Sequence, residues 1–96
     1  MIDCSSGGNV PKAVIPVGPS YQLPFAEAVK RSSSKLRVAT VGMLTEPIQC
    51  NAIIAAEQAD FVFLARELLR DPYFPRTAAK ALGHKIVPPA QYGRAW

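Results

Sequence analysis

The order of residues along this chain predicts an α/β protein built on a short parallel sheet. Two runs, "RVATVGML" (Arg37 to Leu44) and "DFVFLA" (Asp60 to Ala65), are β-branched or apolar without strict alternation. That is the pattern of a strand covered on both faces. Each run is followed at once by a helix signal, first "TEPIQCNAIIAAEQ" and then "RELLRD". Strands alternating with amphipathic helices imply parallel pairing through right-handed crossovers.

Taken in order, Ile2 to Cys4 reads as the end of a strand, and residues 5–23, rich in Gly, Pro and Ser, read as loop. The stretch "LPFAEAVKRSSS" predicts a helix from Pro24, a residue suited to the first turn. Phe25, Ala28 and Val29 fall at i, i+3, i+4, and Lys30 and Arg31 lie at the end where cations suit the helix dipole. After the Arg37–Leu44 strand, Thr45 is placed to cap the next helix, with Glu46 and Pro47 in its first turn. Ile48, Ala52 and Ala55 mark one face of that helix, widened by Ile53. Beyond the second strand come a short helix to Arg70, a break at Asp71-Pro72 and another helix ending at Gly83. The tail "HKIVPPAQYGRAW" carries Pro88-Pro89 and is expected to be extended. Two and a half parallel strands leave bare edges on both sides, so the chain reads as part of a domain.

Composition narrows the function classes. The chain has 96 residues, 49% hydrophobic and 19% charged, which suits one globular domain. Its net charge of +4 comes from scattered Lys and Arg, the densest group (Lys30, Arg31, Lys35, Arg37) following a helix end. No nucleic-acid partner is therefore expected. One histidine, His84, and two distant cysteines, Cys4 and Cys50, match no metal-ligand spacing. No run is long enough to span a bilayer and no signal peptide is visible, so no membrane partner and a cytoplasmic location with two free thiols are expected.

Functional groups in parallel α/β folds gather where strand carboxyl ends lead into helices. Gly42 stands at one such point and Ala65-Arg66 at the next. A glycine lets a ligand approach the backbone, free N–H groups near a helix start attract anions, and arginine binds phosphate bidentately. The structural alternatives stay open: Gly42 relieves crowding, and Arg66 pairs with Glu46 or Asp71. "SSGGNVP" is either a glycine nest or an ordinary loop. Tyr21 and Tyr92 are candidate donors or packing groups, Cys50 a packing residue within its helix, and His84 a solvated residue after a helix end. No pair of carboxylates, Ser-His or Cys-His set has catalytic spacing, so no catalytic residue is assigned.

The strings "VPKAVIPVGPSYQLPFAEAVKR", "VGMLTEP", "LARELLRDPYFPRTAAKALG" and "QYGRAW" closely resemble the carboxyl-terminal part of the Old Yellow Enzyme family, the NADH:flavin oxidoreductases. Within it the likeness is to the bacterial NADPH dehydrogenase branch of ene-reductases. The resemblance runs in order over essentially the whole chain. It implies an α/β fold that is part of a (β/α)8 TIM barrel: the last two and a half β/α units and a C-terminal tail. Residues 1–23 would be the loop after strand six, 24–83 units seven and eight with flanking helices, and 84–96 the tail. It further implies FMN as cofactor and NADPH as reductant, with hydride passing by way of FMN to the activated C=C bond of an unsaturated carbonyl substrate. The FMN phosphate would be held by Gly42, Ala65 and Arg66, with Ala65 where the family usually has glycine. Ala65 must then keep φ negative or be strained. In this branch the tail enters the active site of a neighbouring subunit, so Arg94 and Trp96 become candidates for a partner's substrate pocket in a homo-oligomer. The family's substrate-binding histidines, flavin-contacting cysteine and glutamine, and donor tyrosine belong to earlier strands and have no counterpart here. The chain alone is thus expected to be inactive. Two other readings are a stand-alone phosphate- or nucleotide-binding α/β module without enzymatic activity, and a non-catalytic oligomer that pairs copies into a fuller barrel.

Overall fold

Three short strands, β1 (Ile2–Cys4), β2 (Val38–Val41) and β3 (Phe61–Phe63), lie parallel in the order β1-β2-β3 in a computed structural model that describes residues 1–95. The register sets Ile2 beside Val38, Cys4 beside Thr40, Ala39 beside Phe61 and Val41 beside Phe63. Because side chains alternate along a strand, Cys4, Val38, Thr40 and Val62 share one face. Asp3, Ala39, Val41, Phe61 and Phe63 share the other.

The first face carries the core. Cys4, Val38, Leu44, Cys50, Ile53 and Phe74 pack together there with Ala26 and Ala59. Helix α1 (Leu23–Ser32) reaches the sheet through the small, fully buried Ala26. The expected stripe is turned instead: Phe25 is 53% exposed and Ala28 is exposed, while Val29 is partly buried. The same correction applies to α2 (Pro47–Ala55), where Cys50 and Ile53 enter the core and Ile48, Ala52 and Ala55 face outward. Each helix offered two apolar stripes, and contact with one face of a narrow sheet selects a single one. Helices α3 (Ala65–Arg70) and α4 (Phe74–Ala81) follow, separated by the break at Asp71-Pro72. Among the described residues, no helix is long and apolar enough to cross a membrane.

Several boundaries differ from expectation for local reasons. Strand β2 ends at Val41, because Gly42 (φ +115°) and Met43 (φ +48°) turn the chain and return Leu44 to the core. The α2 cap is Glu46, not Thr45; the Thr45 N–H instead donates to Gln49 Oε1, which reaches back from the first turn. The tail is irregular over 84–89 and then forms a 3₁₀ helix, Ala90–Ala95, so the expected extension fails beyond Pro89.

The outward sheet face carries the largest departure. Strand β2 is buried as expected, but Phe61 and Phe63 are 46% and 38% exposed, so β3 lacks a cover on that side. Burying a phenylalanine side chain is worth about 1.5–3 kcal/mol. The pair, left half in water, forms an exposed apolar patch on that side of β3.

At the amino-terminal ends of the strands, Asp60 joins three segments. It accepts from Lys30 Nζ (2.8 Å), Arg37 Nη1 (3.0 Å) and the Val38 N–H (2.9 Å). Its own N–H donates to the Val38 carbonyl at 2.8 Å. The Lys30 hydrogen bond, then the Val38 N–H and Arg37, hold this carboxyl well below the usual carboxylate range.

Candidate functional site

Parallel pairing puts the carboxyl ends of β1, β2 and β3 on one side of the sheet. There the chain forms a cleft of about 360 Å³ whose lining includes Ser5, Gln22, Gly42, Thr45, Ala65 and Arg66. All three residues singled out for phosphate, Gly42, Ala65 and Arg66, therefore line one cavity. Ser5 follows β1, Gly42 follows β2, and Ala65 and Arg66 open α3 after β3.

Gly42 is a position only glycine fills comfortably. A Cβ built there would stand 2.7 Å from Tyr21 Cε1 and 2.8 Å from Gln22 Nε2. Its φ of +115° lies outside the range other residues adopt readily. Met43 continues the left-handed turn at a cost of about 1–2 kcal/mol. Strain of this kind persists where surrounding structure over-determines it, commonly around ligand sites. Ala65 needs no such strain: it begins a right-handed helix and is not among the residues with positive φ. Its methyl group is therefore carried without distorting the turn.

Arg66 is exposed and, among the described residues, has no ion-pair partner. Neither expected carboxylate partner pairs with it. Asp71 accepts from the Tyr73 N–H (2.9 Å) and the Thr77 hydroxyl (2.6 Å), which secures the start of α4. Glu46 stands at the N-cap position of α2 and forms no ion pair with Arg66. The other cation of the cleft, Arg70, is neutralised by Glu67 through Nε (2.9 Å) and Nη2 (2.5 Å). The cleft therefore keeps the positive charge of Arg66, and a planar guanidinium with free donors suits an anionic oxygen cluster.

Sequence reasoning missed Gln22. Its side chain is buried, accepts from the Ser6 N–H and donates to the Val41 carbonyl at 3.0 Å. Nothing in the "YQLP" string distinguishes this residue from a surface glutamine before a helix. The Ser6 amide is accordingly committed to Gln22, so the "SSGG" segment behaves as an anchored loop more than as a free nest. Tyr21 is half-buried against Gly42, and Tyr92 is exposed on the 3₁₀ helix.

Remaining candidates lie elsewhere. Cys4 and Cys50 are free thiols in the core; burial pushes both above the usual thiol range, with Asp3 adding to the effect at Cys4. His84 is exposed, its N–H closing the α4 terminus on the Ala79 carbonyl at 2.8 Å. A wider depression of about 550 Å³ lies among Arg76, Lys80, His84 and Lys85, away from the strand ends. Arg94 is exposed on the 3₁₀ helix and is not among the residues described around the strand-end cleft. Trp96 lies outside the described residues. Among the described residues, no group of His, Cys, Asp and Glu is arranged to hold a metal ion.

Comparison with known proteins fits this picture. Over all 96 residues the chain is 53% identical to an NADPH dehydrogenase of Halalkalibacterium halodurans. It is 49% identical to the NADPH dehydrogenase of Bacillus licheniformis and 45% identical to that of Listeria monocytogenes, again over 96 residues. The chain spans 28% of the length of each of these relatives. The model of the NADH:flavin oxidoreductase / NADH oxidase family matches residues 7–85, and the chain belongs to that family.

Proposed function

We propose that the chain is the carboxyl-terminal part of an FMN-dependent NADPH dehydrogenase and that its strand-end cleft holds the FMN phosphate. The observation that carries this is the convergence on one cavity, at the carboxyl ends of parallel strands, of Gly42, Ala65 and Arg66, the last without an ion-pair partner among the described residues. In β/α barrels the phosphate site lies after the last two strands, which supports assigning β2 and β3 to those places and the chain to the last two and a half β/α units. The half-exposed Phe61–Phe63 face supports the same assignment, since a barrel would cover it.

The cleft fits the group on its own terms. Gly42, where a Cβ would collide with Tyr21 and Gln22, takes a backbone turn that glycine alone adopts readily and so brings its main chain to the wall of the cleft. Arg66 offers a bidentate fork, and Ala65 keeps a backbone N–H at the entrance of α3. Bound FMN supplies hydride transfer from NADPH to the activated C=C bond of an unsaturated carbonyl compound, the ene-reductase chemistry. The residues here grip one end of the cofactor and orient it. They provide no general acid and no pocket for the reacting ring, so the isolated chain is inactive in this reading. Arg94 and Trp96 are assigned to a neighbouring subunit's substrate pocket in a homo-oligomer. A cytoplasmic setting without membrane or nucleic-acid partners completes the proposal.

The test is titration of the 96-residue chain with FMN, read from backbone amide shifts. We expect saturable shifts at Gly42 and Arg66, at least tenfold weaker binding in Arg66→Ala, flavin lost on gel filtration and no NADPH oxidation. A Gly42 amide insensitive to FMN would overturn the phosphate assignment. Flavin retained through filtration with NADPH turnover would overturn the inactivity of the chain. The second reading, a stand-alone phosphate-binding module, has the single core around Val38 and Phe74 in its favour. It requires a cooperative melt of the monomer together with Arg66-dependent phosphate binding, and the exposed Phe61 and Phe63 speak against it.

A further inference from the structure

Gln22 is the least expected buried group near the cleft. It occupies the N-cap position of α1 with 2% of its surface exposed, yet its side chain makes no hydrogen bond that caps the helix. The amide turns the other way and spans two strand ends. Its oxygen accepts from the Ser6 N–H in the loop leaving β1, and its nitrogen donates to the carbonyl of Val41, the last residue of β2. Val41 immediately precedes Gly42, and Gln22 Nε2 stands 2.8 Å from where a Gly42 Cβ would be.

A neutral amide suits this place for two reasons. One donor and one acceptor on a planar group match one backbone carbonyl and one backbone N–H. A carboxylate of the same shape offers only acceptors, and an apolar side chain leaves both backbone groups unpaired at the cost of buried, unmade hydrogen bonds. Gln22 also adds no charge to a cleft that already holds Arg66, Arg70 and Glu67, so it leaves the attraction for an anion intact.

We infer that Gln22 is a positioning residue for the bound phosphate: it fixes the β1 loop against the end of β2 and so sets where the Gly42 backbone faces the cleft. The inference rests on the phosphate reading of the cleft and adds a residue that acts through Gly42 without itself gripping the ligand.

Two variants test it in the 96-residue chain with FMN as probe. Gln22→Met removes both hydrogen bonds and does not titrate. It is expected to bind FMN about tenfold more weakly than wild type at every pH and to speed Ser6 amide exchange about tenfold. The Val38 amide, held by Asp60 at the far end of the sheet, keeps its wild-type exchange and shows that the variant is folded. Gln22→Glu is isosteric. Ionised at pH 8, it lacks the donor for Val41 and repels the phosphate, so binding falls by more than tenfold. As pH is lowered towards 5 and the new carboxyl protonates, the donor returns and the ratio of variant to wild-type Kd closes towards about twofold. A merely structural loss would not recover in this way.

Wild-type FMN affinity in Gln22→Met would overturn the inference, as would a Gln22→Glu ratio that stays flat with pH. Should Gln22→Met prove unfolded by the Val38 criterion, the pH response of Gln22→Glu decides alone. Absence of FMN binding by the wild-type chain is a different failure: it removes the phosphate reading itself and the positioning role with it.

Discussion

Gly42 shows how much one absent methyl group decides. Its φ of +115° and the close approach of Tyr21 and Gln22 mean that a side chain there meets strain and collision together. Gly42→Ala is expected to cost about 1–3 kcal/mol of stability and to weaken FMN binding by at least tenfold, read from urea unfolding and flavin titration. Ala65 behaves oppositely, since its φ is that of a helix start, and Ala65→Gly would bring no conformational relief. That Gly42, Ala65 and Arg66 would meet was legible in the sequence, because residues following consecutive parallel strands lie along one edge of the sheet. Gln22 was not: its importance comes from two backbone partners distant in sequence, Ser6 and Val41. The freedom of Arg66 was likewise illegible, because only the fold shows Asp71 turned towards Tyr73 and Thr77.

At the scale of elements, α2 and α4 end alike on unlike residues. Helix α4 closes with the Gly83 N–H on the Lys80 carbonyl and the His84 N–H on the Ala79 carbonyl, Gly83 taking φ +72°. Helix α2 makes the same pair of bonds, from Glu57 to Ile54 and from Gln58 to Ile53, but places Glu57 at φ +56°. This is the Schellman ending, which favours glycine at the left-handed position. Glu57→Gly is therefore expected to stabilise the protein by about 0.5–1 kcal/mol and raise its Tm by a few degrees, while Gly83→Ala destabilises by a similar amount; thermal melts of the two variants measure both. The end of α4 could be read from Gly83 itself, whereas nothing in "AAEQAD" announces the end of α2. Helix faces were the least legible feature. Phe25 and Ile48 belong to plausible apolar stripes, but one-sided packing on a three-stranded sheet preferred Ala26 and Cys50.

Across the whole molecule, the Asp60 ion pairs and the cleft proposed for phosphate occupy opposite ends of the sheet. The Asp60 carboxylate, paired with Lys30 and Arg37 and bonded to the Val38 N–H, ties α1, β2 and β3 at the amino-terminal ends. Its lowered pKa fixes the sign of the pH response. The contribution is present in full above the ordinary aspartate pKa of about 3.9 and is lost as pH falls below that value towards the depressed one. Unfolding midpoints of wild type and Asp60→Asn should differ at pH 7 and converge as the medium is acidified below about pH 4, with FMN binding at neutral pH little changed in the variant. Parallel order and the three-strand arrangement followed from the alternating pattern, but the bare face of β3 did not, because "DFVFLA" reads the same whether or not its neighbours are present. The cleft at the other end draws its walls from Ser5, Gly42 and Arg66, each delivered by a different strand. No one segment of the chain encloses it. The cavity comes into being only after both crossovers have closed, so a ligand that occupies it binds the folded state alone. At a concentration about 100 times its Kd, such a ligand adds about 2.7 kcal/mol to folding, which would make its supply a lever on how much of the chain survives.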